Sequence, residues 1–178
     1  MVRCAQVARL FVVLAVVAFS SDNEFEELED DSEEANGDSE PAVDFDENVP
    51  IVDAVDVADV RKEILAQAKP AIVIVTQSWC GACTYIKNDI NSRDSIKELM
   101  KKFVVVHAEG EKGDQWQADG RVDDYIPRVY FFGLSGQHIP MHGESEKYEY
   151  FFNSAELMEK AMKEVLVQVG ADNGQPEL

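Results

Sequence analysis

The sequence predicts an α/β domain, a central mixed β-sheet flanked by helices on both faces, and three observations carry that prediction. Ala71 to Thr76 and Phe103 to His107 are continuous apolar, β-branched runs of the kind that fill strands buried on both faces. The stretch between them reads as helix, which is the connection a parallel strand pair needs. Apolar residues at helical spacing, Val57, Val60, Ile64, Leu65 and Ala68 at one end and Met158, Ala161, Met162, Val165 and Val169 at the other, supply covering layers.

Taken in order, the first helix ends at Lys69 and Pro70, since proline cannot continue it. The strand Ala71–Thr76 then turns through Gln77, Ser78 and Trp79 into a helix that starts at Cys80 and runs through Ile90. A second helical piece spans about 94–101 and leads into the strand that ends at His107. Residues 109–124 read as a polar loop, and Tyr125 to Phe132 as a strand opened by Pro127. Gly133 to Gly136 form a turn into a shorter strand near 137–141, making a hairpin. Asn153 with Glu156 three residues on suggests the cap of the final helix.

Charge divides the chain. Of 35 acidic residues 14 lie in residues 21–50, which hold no Lys or Arg, within a net charge of −19. So strong an acidic excess argues against nucleic-acid binding, which needs clustered positive charge. Residues 21–50 therefore read as a disordered acidic leader, too poor in large apolar groups to offset the entropy of ordering. Before it, Arg3 and Arg9 precede an apolar run from Leu10 to Phe19, with small residues Ala18 and Ser20 at a plausible cleavage point, so 1–20 read as a signal peptide. The run is too short to span a bilayer. The expected organisation is signal peptide 1–20, leader 21–50, folded domain 51–170 and flexible tail 171–178.

Cys4 leaves with the signal peptide, so the expected mature chain keeps Cys80 and Cys83 alone. A bridge enclosing two residues constrains little of the unfolded chain, so the pair suits reversible chemistry better than stapling. At a helix start Cys80 faces unpaired backbone N–H groups and the positive end of the helix dipole, which lower a thiol's pKa. Cys80 is thus the expected nucleophile and Cys83, one turn inside, the resolving cysteine, with Gly81 and Ala82 as a compact spacer. Two other chemistries fit the residues less well. A zinc site would have to recruit His138 and His142, but 54 residues separate Cys83 from His138 and Pro140 interrupts the histidine pair. A Cys–His protease is disfavoured because the second cysteine would quench the first. No metal is expected, and His107, His138 and His142 read as ordinary strand and loop residues.

The string Trp79-Cys80-Gly81-Ala82-Cys83 between a buried strand and a helix, followed by Ile126 and Pro127 opening a later strand and by the aromatic stretch Tyr148–Phe152, resembles the thioredoxin superfamily. Within it the chain is similar to the small single-domain endoplasmic reticulum members, relatives of the anterior-gradient proteins. The resemblance covers about residues 53–170. It implies a thioredoxin-like fold, a cis bond before Pro127 facing the dithiol, and a substrate surface formed by Trp79, Ile126 and Pro127. The family's buried carboxylate six residues before the first cysteine is replaced by Ile74, its helix proline by Asn88, and Cys83 lacks an obvious buried base. Arg128 either tunes the dithiol or points to solvent. The terminus Gln175-Pro176-Glu177-Leu178 is a degraded retrieval signal, so the expected location is the endoplasmic reticulum lumen, with secretion as the alternative. The implied function is thiol-disulfide exchange with client proteins, without a bound cofactor and with glutathione as redox co-substrate. The rival is a redox-idle client-binding module on the same fold.

Overall fold

In the computed structural model, which describes residues 43–118 and 123–172, the run Ala71–Thr76 becomes β2, buried at every position in the middle of a five-stranded sheet. The strand order is β1-β3-β2-β4-β5, with β1 (Ile51–Val52), β3 (Val104–Glu109), β4 (Arg128–Phe132) and β5 (His138–Ile139). β1 and β2 lie parallel to β3, while β4 runs antiparallel to β2 and β5 antiparallel to β4. The sheet is therefore mixed and covered on both faces, as the sequence predicts.

Alternation along the strands sorts the core into two layers. Ile72, Ile74, Val105, Val129 and Phe131 face α2 (Gly81–Asn91), α3 (Asp94–Met100) and α5 (Ala155–Asp172). Ala71, Val73, Val75, Val104, Val106, Tyr130 and Phe132 face the other way, toward α1 (Val57–Gln67) and Trp116. In α1 the buried stripe is Val60 and Ile64; Leu65 falls one position outside it and is 76% exposed. Asp56 caps α1 by accepting the Asp59 N–H at 2.9 Å, and Ala68 closes it in the left-handed conformation. Among the described residues no helix is long and apolar enough to cross a membrane.

Several expectations change. Packing on the core is already present before residue 51: Val49 is buried, and Phe45 packs on the core with its ring edge-on to His107 at 4.9 Å. Asp46 N–H donates to Asn91 Oδ1 and Asn91 Nδ2 donates to the Asp44 carbonyl, so two apolar residues and one asparagine tie down the end of the acidic segment. The signal-peptide and earlier leader expectations, and the tail expectation beyond residue 172, lie outside the described residues, while residues 171–172, expected in the tail, belong to the last turn of the final helix. The polar stretch after Glu109 holds a short helix, α4 (Glu111–Gln115), which needs a glycine. A Cβ on Gly113 would sit 2.9 Å from the Ala108 carbonyl oxygen and 3.1 Å from that of Thr76, both backbone atoms that cannot yield. At α5 the cap is Ser154, whose hydroxyl accepts the Leu157 N–H at 3.4 Å, while Asp89 reaches across from α2 to accept the Ala155 N–H at 2.7 Å. Asn153 instead bonds Glu144.

Candidate active site

Where β2 ends, the chain makes one tight turn and starts α2. Cys80 N–H donates to the Gln77 carbonyl at 3.1 Å, and Cys80 is the N-cap of α2, its sulfur accepting the Cys83 N–H at 3.2 Å. Cys80 and Cys83 are joined as a disulfide with Cα atoms 5.2 Å apart. Both cysteines are buried, but unequally: Cys80 is 8% exposed and Cys83 1%. An incoming sulfur therefore meets Cys80 first. The amide that already points at Cys80 Sγ would stabilise a thiolate there once the bridge opens, adding to the favourable end of the helix dipole.

The loops around this point are held from below. Gln77 is buried, and its side-chain amide donates to the Gly110 carbonyl at 3.0 Å and to Asp114 at 2.6 Å, locking the turn before Cys80 to α4. Arg128 neither reaches solvent nor faces the dithiol. It is 2% exposed, and its guanidinium donates to the carbonyls of Gly113 at 2.9 Å, Tyr125 at 3.2 Å and Asp123. It thereby pins the segment that carries Ile126 and Pro127. The Ile126–Pro127 bond is cis, as the resemblance implies. Val75 pairs with Arg128 across the antiparallel β2–β4 register, so Pro127 stands at the same end of the sheet from which β2 leads to Cys80. Pro127 is buried and Ile126 half-buried, while Trp79 stands 77% exposed. Nothing within 4 Å would obstruct a Cβ on Gly81, and Ala82 is exposed beside it.

Beneath α2 lies a polar cluster that the sequence reading missed. Lys87 shares the buried face of α2 with Cys83, Ile86 and Ile90, one turn beyond Cys83. Its side chain is 4% exposed and its ammonium pairs with Glu109 Oε1 at 2.8 Å. Thr76 donates to the same carboxylate at 3.1 Å and bonds His107 Nε2 at 2.7 Å. Thr76, His107 and Glu109 continue the rows of Ile72 and Ile74 on β2 and of Val105 on β3. Position 74 is buried and apolar, as read; the charged group that α2 does bury is Lys87, one turn beyond Cys83, paired with a glutamate whose side chain is 35% exposed. Burial opposes the Glu109 carboxylate, yet the Lys87 hydrogen bond and charge outweigh it and hold its pKa below the usual range. Burial, and then the Lys87 charge, push His107 below its ordinary value. The signals were available in pattern: Lys87 falls on an apolar helix face, and His107 and Glu109 alternate with Val106 and Ala108 along a buried strand.

Among the described residues no group of three or more His, Cys, Asp or Glu is gathered as a metal site requires. His138 lies against the rings of Tyr130, Phe132 and Tyr150, and His142 stacks on Tyr150. Residues 52–133 match a family model described as thioredoxin-like. The fold is thioredoxin-like. The match takes in the dithiol, the cis-proline and strands β2 to β4, and β5 and α5 complete the same sheet and core beyond it. A thioredoxin-like domain bearing a Cys-x-x-Cys pair at a helix start has the constitution of a thiol-disulfide oxidoreductase.

Two predictions follow from the cluster's geometry. Glu109→Gln removes the counter-charge of a Lys87 side chain 4% exposed and should cost roughly 3 kcal/mol, whereas Lys87→Met leaves a carboxylate 35% exposed to water and should cost distinctly less. Urea unfolding of the two variants checks the order. His107 is depressed in the folded chain, so below about pH 6.5 the unfolded state binds a proton that the folded state refuses. Stability should therefore fall as pH drops from 7 toward 5.5, and His107→Gln should flatten that slope, read from unfolding midpoints across the range.

Proposed function

We propose that this protein is a thiol-disulfide oxidoreductase of the secretory pathway, exchanging disulfides with client proteins through Cys80 and Cys83 and using glutathione as its small redox partner. The observation that carries the reading is the asymmetry of the pair: a capped, reachable Cys80 sulfur at a helix N-terminus and a sealed Cys83 one turn inside. The secretory location rests on the apolar run Leu10–Phe19 behind Arg3 and Arg9. The endoplasmic reticulum lumen is the compartment whose redox poise suits such a dithiol.

In the reducing direction the Cys80 thiolate attacks one sulfur of a client disulfide. A Cys80–client bond forms as the client's S–S bond breaks, and the departing client sulfur takes up a proton. Cys83, deprotonated in turn, attacks Cys80 Sγ, closes the internal bridge and releases the second client thiolate. Two electrons have passed from the dithiol to the client, and two glutathione thiols would restore it with release of one glutathione disulfide. Oxidation of a client dithiol is the same sequence reversed, starting from the bridged form. Lys87 supplies positive charge on the face where the Cys83 thiolate appears. Trp79 and the backbone of Ile126 would flank an extended client beside Cys80, in the sequence-tolerant manner of strand addition.

Trapping tests the assignment of roles. Cys83→Ala should accumulate mixed disulfides through Cys80, seen as thiol-sensitive adducts on non-reducing gels, while Cys80→Ala should accumulate far fewer. Equal trapping by both variants, or by neither, would contradict it. A Cys80→Ser, Cys83→Ser protein that still binds clients and suppresses their aggregation would instead support the redox-idle module.

A further inference from the structure

Three consecutive residues at the end of the acidic segment form a strap, and each grips the domain in a different way. The Asp44 carbonyl accepts Asn91 Nδ2 at 2.8 Å. Asp46 N–H donates to Asn91 Oδ1 at 2.9 Å, and the Asp46 carboxylate meets the Lys97 ammonium at 3.4 Å. Between these tethers the half-buried Phe45 lays its ring on two members of the polar cluster: edge-on to His107 at 4.9 Å, and with Lys87 Nζ 5.9 Å from its centroid, within cation–π range. That cluster adjoins the dithiol. Lys87 follows Cys83 by four residues on the buried face of α2, so the two side chains are neighbours, with Cβ atoms about 5–6 Å apart. Its partners Glu109 and Thr76 stand at the ends of β3 and β2, and Thr76 precedes Cys80 by four residues.

A disulfide carries no charge, whereas a dithiol can lose a proton, so an ammonium beside the pair favours the reduced form. The strength of that bias depends on water. A lysine side chain 4% exposed acts through a medium that screens little, and water admitted beside it weakens its field in proportion to the rise in effective dielectric constant. We infer that Phe45 is a positioning residue for the redox couple: seated by its neighbours Asp44 and Asp46, it keeps water from the Lys87 ammonium and thereby sets how oxidising the Cys80–Cys83 bridge is. The inference rests on the oxidoreductase reading and adds to it a tuning element that lies outside the helix of the dithiol, at the end of the acidic segment.

The test is a double-mutant cycle read as the equilibrium constant with glutathione, in which two glutathione thiols reduce the bridge and leave one glutathione disulfide. Phe45→Ser should shift that equilibrium toward the bridged form by roughly fivefold, or about 20 mV for a two-electron couple. Phe45→Leu, which keeps an apolar cover, should leave it close to that of the unaltered protein. Asn91→Ala, which frees both backbone tethers without touching the ring, should shift it in the same direction as Phe45→Ser. In a Lys87→Met background Phe45→Ser should have almost no effect, because the charge that the ring shields is gone. No shift on Phe45→Ser, or the same shift with and without Lys87, would overturn the inference and leave the oxidoreductase reading standing. A bridge in the unaltered protein that glutathione does not open at any ratio would overturn both.

Discussion

The structure depends on the complete burial of β2. Six consecutive residues with apolar or β-branched side chains can be covered on both faces only in the middle of a sheet, so β3 and β4 must pair with them on either side. That placement fixes the point and direction in which the chain leaves the sheet. Four residues later Cys80 caps α2, and the same burial holds α2 against Ile72 and Ile74 through Ile86 and Ile90. Cys80 is thus placed by the strand that it follows. Its partner β4, in antiparallel register, brings Pro127 to the same end of the sheet.

Polar groups at that end are managed by burial and pairing. The rows that are isoleucine and valine deeper in the sheet change to Thr76, His107 and Glu109 where the strands finish, and Lys87 reaches down from α2 to meet them. A buried ion pair adds little net stability over an apolar alternative. Its worth is therefore sought in function, as fixed charge one turn from the sealed cysteine. Phe45 covers this cluster from outside, its ring edge-on to His107 and 5.9 Å beneath the Lys87 ammonium, and so ties the end of the acidic segment to the core. On the opposite face Arg128 plays a mechanical part, gathering three carbonyls from the segments next to β4 and α4.

Much of this was legible in the sequence because it is local. The Cys80–Cys83 spacing, the helix start and the β-branched runs each declare themselves within a few residues, and the strand Ala71–Thr76 is observed at its expected bounds. The cis bond before Pro127 was reachable through family resemblance alone, since nothing in Ile126 and Pro127 by themselves specifies it. What escaped is non-local. Lys87 and Glu109 are 22 residues apart, and the pattern around each marks its face without naming its partner. Arg128 looked like a strand residue with two possible faces, and its three carbonyl partners come from backbone that the polar loop gave no sign of ordering. α4 was hidden because its five residues, including Gly113, carry no apolar periodicity.

On the proposed function, the Cys80–Cys83 bridge is a working redox couple. Equilibration of the protein with glutathione buffers of known ratio, with the oxidised fraction read by thiol alkylation, gives its reduction potential directly. A value between about −120 and −270 mV, the range of dithiols that cycle, is the predicted result. A value below about −300 mV would mark a bridge that glutathione does not open, and would contradict the account.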